Sequence, residues 1–243
     1  MAETQQLANG GYDNNSSSID MGAVVDNGAL DKVVTGPRGW PLADFTQQMR
    51  RWTENEDAVN RALTAEQAGI LQNNTLYVVS FGVWDIWYLV DLGTKAAAPL
   101  IDQKIQVIME QLDVLADQQS MVNETKVLMT LPLDISFLPG FHTTKGLAEE
   151  KAAVEIVRYW GSRLITACDK WERGTVHIFD INSFVVDLIR DWQFFAVGIV
   201  KTTNGLGKNE DPGWENVREP CITTSGSDGG KAKCVNPDKY LFW

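Results

Sequence analysis

The stretch Leu76-Tyr77-Val78-Val79-Ser80-Phe81-Gly82-Val83-Trp84-Asp85-Ile86-Trp87-Tyr88-Leu89 decides the fold. Its opening half, Leu76 to Phe81, is a short run of β-branched and aromatic residues, which on length and composition reads as a buried strand rather than a helix. Gly82 ends that strand. A carboxylate and two indoles follow directly, so Gly82, Trp84, Asp85 and Trp87 leave the strand end together, where open α/β sheets hold their ligands. The same residues also read as a core strand followed by a helix whose first turn carries Asp85 as a dipole-matched cap.

Upstream, Leu42, Phe45, Met49 and Trp52 recur at spacings of three, four and three and predict a helix over 41–55, with a second over 57–68 and a turn at Asn73-Asn74. Trp40 and Trp52 read as core or lid packing. Downstream, Ile101, Ile105, Ile108, Met109, Leu112 and Leu115 predict a long amphipathic helix over 99–119. A strand over 126–131, a loop over 132–141 and a helix over 145–171 follow, the helix with Ala152, Ile156, Tyr159, Trp160, Leu164 and Cys168 inward. A strand over 175–181 and a short helix over 183–191, capped by Asn182 or Ser183, complete the alternation. Strands alternating with helices predict an α/β fold, a mostly parallel sheet covered on both faces in three layers. Right-handed crossovers then bring the residues after Phe81, Leu131 and Asp180 to one edge. The polar residues 1–18 read as a loosely ordered N-terminus, residues 19–243 as a single domain, and 202–233 as a long surface loop.

Composition narrows the function classes. The chain has 243 residues, enough for one full core, and carries 32 Asp and Glu against 21 Lys and Arg. With no basic stripe, it lacks the clustered positive charge that nucleic-acid binding requires. The apolar run 76–90 is broken by Asp85 and is shorter than the roughly 20 residues a transmembrane helix needs. Of the three cysteines, Cys221 and Cys234 flank a Ser/Gly-rich loop that a disulfide would close, while Cys168, on a helical apolar stripe, reads as a buried thiol. Sequons at Asn14, Asn15, Asn73 and Asn123 fit a secreted glycoprotein, whereas the polar residues 1–6 carry no signal peptide and point to the cytoplasm for the chain as given.

Gly82-Val83-Trp84-Asp85-Ile86-Trp87 resembles the Gly-x-Asn-Asp-Ile/Leu-Trp block of the GDSL-type esterases and lipases, the SGNH hydrolases, with Trp84 at the asparagine position. Cys234-Val235-Asn236-Pro237-Asp238-Lys239-Tyr240-Leu241-Phe242-Trp243 is similar to the fungal-type segment that leads in that family into an Asp-x-x-His block. Leu131-Pro132-Leu133 and the residues from Val176 to Phe184 are similar to later strand ends, so the resemblance runs in order over residues 12–243. Gly22-Ala23-Val24-Val25-Asp26-Asn27 resembles the block whose glycine N–H serves the oxyanion hole. Aligning Tyr12-Asp13-Asn14 with the start of that block would instead put Ser17 or Ser18 at the glycine position. Gly22 and Gly28 also read as the bounds of a turn. The resemblance implies a flavodoxin-like α/β/α architecture and serine-dependent hydrolysis of a carboxylic ester on a lipid or an acetylated carbohydrate, without a cofactor.

That chemistry needs a serine, a histidine base, an orienting aspartate and oxyanion donors. The sequence contains no Gly-Asp-Ser, and Asp-x-x-His would begin just past Trp243, so the resemblance implies a core missing its first strand and its last block. Gly22, Gly82 and Trp84 are the oxyanion-region candidates; Trp84 can offer an indole N–H or simply pack. Trp84, Asp85, Trp87 and His142 are the substrate-binding candidates, His142 because it follows a strand end after Pro139-Gly140-Phe141. His177, within a strand, reads as structural, and two distant histidines without clustered cysteines or carboxylates predict no metal site. A non-catalytic carbohydrate- or lipid-binding relative, stacking its ligand on Trp84, Trp87 and Tyr88, is the competing reading.

Overall fold

A computed structural model of the chain describes residues 24–26, 44–118, 124–199, 211–223, 231–232 and 234–242. Residues 1–18, Gly22, Gly28, Trp40, Leu42 and three of the sequons, at Asn14, Asn15 and Asn123, lie outside the described residues. The described chain runs α1 (Phe45–Asn60), α2 (Ala65–Asn73), β1 (Tyr77–Val79), α3 (Val83–Leu89), α4 (Thr94–Ala116), β2 (Thr125–Thr130), α5 (Pro139–Thr144), α6 (Leu147–Asp169), β3 (Gly174–Phe179) and α7 (Ile181–Ala196). Four short strands follow, β4 (Asn216–Pro220), β5 (Ile222–Thr223), β6 (Lys231–Ala232) and β7 (Tyr240–Phe242). The fold is α/β, and the chain divides into two compact units, Met1–Leu133 with Lys151–Asp180, and Asp134–Glu150 with Ile181–Trp243.

The first unit is built on a parallel sheet in the order β1-β2-β3. Val79, Met129 and Ile178 stand in one row across it, and Val78, Leu128 and His177 in the next. Along β1 and β2 burial alternates: Tyr77, Val79, Val127 and Met129 are buried while Val78 is exposed, so these strands bury one side-chain set fully and the other partly. The buried set packs with α1 and α4, whose periodic positions Phe45, Met49 and Trp52, and Ile101, Ile105, Ile108, Leu112 and Leu115, are all inside. Trp52 meets Tyr77 edge-on at 5.5 Å, and Phe45 meets Phe81 at 4.4 Å. Polar links fasten α4 to α6 and to the approach to β3: Asp102 accepts from Tyr159 at 3.1 Å and from Arg163 at 2.7 Å, and Asp113 accepts from the Trp171 indole at 2.9 Å.

Several expected boundaries move, each for a local reason. The expected helix over 57–68 is instead the end of α1 followed by a break, because Thr64 and Gln67 form a reciprocal capping box that starts α2: Gln67 N donates to Thr64 Oγ1 and Thr64 N to Gln67 Oε1. Helix α4 begins at Thr94 rather than at Pro99, because Gly93 stops the preceding turn and Ala96-Ala97-Ala98 tolerates the one backbone bond that Pro99 cannot make. The expected loop over 132–141 is partly ordered. Asp134 accepts from the Ser136 N–H and caps a 3-10 turn at Ile135–Phe137, and Pro139 sits at the first position of α5, where its missing N–H costs nothing.

In the second unit α7 extends beyond the expected 183–191 at both ends. Asn182 lies inside its first turn rather than at its cap, and its amide oxygen accepts from the Asp134 N–H. The surface loop expected over 202–233 is corrected in its described part: β4 pairs in parallel with β7, and β5 pairs antiparallel with β6. Cys221 and Cys234 are disulfide-bonded, with Cα atoms 5.2 Å apart. The indole of Trp192 on α7 donates to the Trp214 carbonyl at 3.0 Å, and Glu215 N donates to the Lys239 carbonyl at 2.8 Å, so backbone and covalent links hold the part of this unit that follows α7.

Candidate functional site

The block Gly82–Trp87 sits where β1 ends. Gly82 precedes α3 with φ of +110°, a left-handed conformation open to glycine and costly for other residues. A Cβ there would stand 3.0 Å from the Pro132 side chain and 3.1 Å from the Trp160 ring. Two strand ends and α6 therefore converge on one missing side chain, and the tight approach explains why the glycine is needed. Beside it Thr130 Oγ1 donates to Ser80 Oγ at 2.8 Å, linking the last residue of β2 to the residue that follows β1.

Asp85 is enclosed. It is 0 % exposed, its Oδ1 lies 2.7 Å from the ammonium of Lys104, itself 1 % exposed, and both its oxygens accept from the Val25 N–H at 3.1–3.2 Å. Asp85 does lie in the first turn of α3, which follows Gly82, but its carboxylate is engaged in the core rather than presented to a ligand. Burial pushes the Asp85 carboxyl above its ordinary range, opposed by the Lys104 charge and hydrogen bond and by the Val25 N–H. The ammonium also donates to the Asp26 carbonyl at 3.3 Å.

Trp84 points outward instead. It is 44 % exposed, Tyr88 one turn later on the same helix face is 40 % exposed, and the half-buried Trp87 lies 6.0 Å from Trp84 at a 55° tilt. Residues at i, i+3 and i+4 share a helix face, so these three form an aromatic strip at the end of β1. Trp84 is thus neither buried packing nor a fixed internal donor.

Other candidates are placed separately. His142 belongs to the second unit, where it is exposed on α5 with an edge contact to Phe141. His177 is exposed on β3, opposite Leu128, rather than a satisfied core histidine. Cys168 is buried in α6, and burial pushes its thiol up to about 11, which leaves it protonated and unreactive at neutral pH. Among the described residues no three His, Cys, Asp or Glu side chains gather as a metal-binding group, and no helix is long and apolar enough to cross a membrane. Gly22 lies outside the described residues.

Three participants escaped the sequence reading. Lys104 had a visible signal, a lysine on the apolar stripe of Ile101, Ile105 and Ile108, where an unpaired ammonium would be prohibitive. Val25 had none, because its contribution is a backbone N–H. Trp160 was expected inward, but its fully buried indole N–H has no hydrogen-bond partner among the described residues, and its ring is what excludes a side chain at position 82. No family model matches the chain, and no curated protein matches it.

Proposed function

We propose that the chain is the core of a GDSL-type, SGNH-hydrolase-like α/β/α domain of flavodoxin-like architecture, built for a carboxylic ester on a lipid or an acetylated carbohydrate. The observation that carries this reading is the convergence at Gly82: the Gly82–Trp87 block and the Leu131-Pro132 strand end, each similar to a family block, meet at one edge of a parallel sheet. On this reading the parent protein is a secreted hydrolase, and the disulfide of Cys221 and Cys234 suits an oxidising compartment. No Gly-Asp-Ser or Asp-x-x-His occurs within the 243 residues, so they present a binding surface without a nucleophile or base of the family type. The test is the genomic sequence flanking the reading frame. Codons for Gly-Asp-Ser on the upstream side and for Asp-x-x-His on the downstream side are the expected result; finding neither overturns the esterase reading.

The aromatic strip supports a second reading, a non-catalytic binding protein. Sugar rings and acyl chains pack on exposed aromatic faces, and Trp84 and Tyr88 offer two on one helix face. Titration with acetylated xylo-oligosaccharide, followed by tryptophan fluorescence, should give a saturable change that Trp84→Ala abolishes. An unchanged signal in the parent chain removes this reading.

A further inference from the structure

Residues Val24, Val25 and Asp26 lie in no helix or strand, yet Val24 and Val25 are fully buried. Buried backbone groups need partners, and here the partners are few and directional. The Phe45 N–H donates to the Val24 and Val25 carbonyls at 3.2 and 3.3 Å, the Val25 N–H donates to the Asp85 carboxylate, and Lys104 donates to the Asp26 carbonyl. These bonds connect positions 60 and 78 residues apart in sequence.

Apolar fit chooses the register of such a segment only in part. Sliding it by one residue keeps a valine in one of the two pockets and brings Ala23 or Asp26 to the other, so the pockets around Val24 and Val25 separate the correct alignment from the shifted one at one position only. The polar contacts do distinguish them, because a donor must face the carboxylate while an acceptor faces the ammonium. A buried ion pair is seldom better for stability than a matched apolar pair, and its best-attested benefit is the specification of one arrangement.

We propose that Asp85 and Lys104 are positioning residues whose joint task is to fix the backbone register of residues 24–26. The proposal deepens the esterase-like reading and rests on it in one respect: the segment fixed in this way continues the block in which the resemblance assigns Gly22 the oxyanion N–H.

Amide hydrogen exchange of the full 243-residue chain, resolved by residue, tests the proposal. The informative variant is the double substitution Asp85→Leu with Lys104→Met, which leaves no buried charge unpaired. In it the Val25 amide should exchange at least about 100-fold faster than in the parent while Leu128 and Met129 in β2 keep their rates, the pattern of a local opening. Asp85→Asn, which keeps an acceptor oxygen, should restore most of the Val25 protection. An unchanged Val25 rate in the double variant overturns the proposal, as does equal acceleration of Val25 and β2, the signature of a merely stabilising pair. Should the double variant not fold, the parent alone decides: Val25 protected like β2 supports the proposal, and Val25 exchanging like an unstructured peptide overturns it. None of these rates depends on ester chemistry, so failure of the register claim and failure of the esterase reading at the flanking sequence are separate results.

Discussion

The two units are held by different physics. In the first, three helices and a parallel sheet contribute periodic apolar positions, from Phe45 in α1 to Leu164 in α6, and a charged pair inside, Asp85 with Lys104, is matched and buried. In the second, α7 spans 16 residues but buries only Val185, the strands are two to five residues long, and Cys221 is joined to Cys234 across 13 positions. The difference shows what each kind of sequence can do. Apolar periodicity offsets the entropy of ordering a chain only as far as it is buried: α7 is apolar too, yet Phe184, Val186 and Phe195 stay exposed, and the Gly-, Asn- and Asp-rich segment after it relies on covalent closure and backbone pairing.

The sharpest way to break that contrast is to unpair the buried charges. Lys104→Met leaves Asp85 enclosed without its counter-charge and should destabilise the protein by about 3–5 kcal/mol in chemical denaturation. Asp85→Ala should cost a similar amount, well above the roughly 0.5–2 kcal/mol expected of a helix cap. Values near the cap range would mean that the pair contributes little to the first unit. Reducing the disulfide should cost about 3 kcal/mol, the chain-entropy figure for a loop of this length. Its effect should fall on amides of α7 and β4–β7 and spare those of β2. Equal loss of protection in β2 would contradict the division.

Gly82→Ala forces a Cβ against Pro132 and Trp160 at a left-handed φ and should cost about 1–3 kcal/mol, read as a lower denaturation midpoint. Thr64→Ala removes one half of an exposed capping box and should cost about 1 kcal/mol, with α2 amides losing protection first. The smallest effect is that of Cys168. Its folded thiol titrates near 11 against 9.0 for the free group, so its contribution to stability is fully present below pH 9 and is lost as pH rises through 11. Alkylation by iodoacetamide at pH 8 should be slow in the native protein and fast in denaturant; fast native alkylation would show that the α6 stripe is open.

Periodicity and composition carried the first unit well. Phe45, Met49 and Trp52, and the isoleucine and leucine ladder of α4, have helical spacings, and the short β-branched and aromatic run Tyr77–Phe81 reads as a strand, of which Tyr77–Val79 forms β1. What stayed hidden was of two kinds. Polar contacts between distant residues leave no local pattern: Lys104 marks its position only by interrupting a stripe, and the Val25 N–H leaves no trace in its side chain. Short paired strands such as β5 and β6 are invisible in a polar loop because their stability comes from the disulfide and their partners rather than from their own residues. At the candidate site the glycine, the two exposed aromatics and the strand-end proline were legible; the inward turn of Asp85 was not, because a carboxylate after a strand serves a ligand, a cap or a buried cation equally well until the cation is located.

On the proposed reading these 243 residues form the core of an ester-binding α/β domain, and they contain no Gly-Asp-Ser or Asp-x-x-His. Release of p-nitrophenol from p-nitrophenyl butyrate by the purified chain, beside a heat-denatured control, tests that reading directly. Equal rates in the two samples are expected. Turnover above the control that a serine-directed fluorophosphonate abolishes would contradict that reading, because a reactive serine would then lie within these residues.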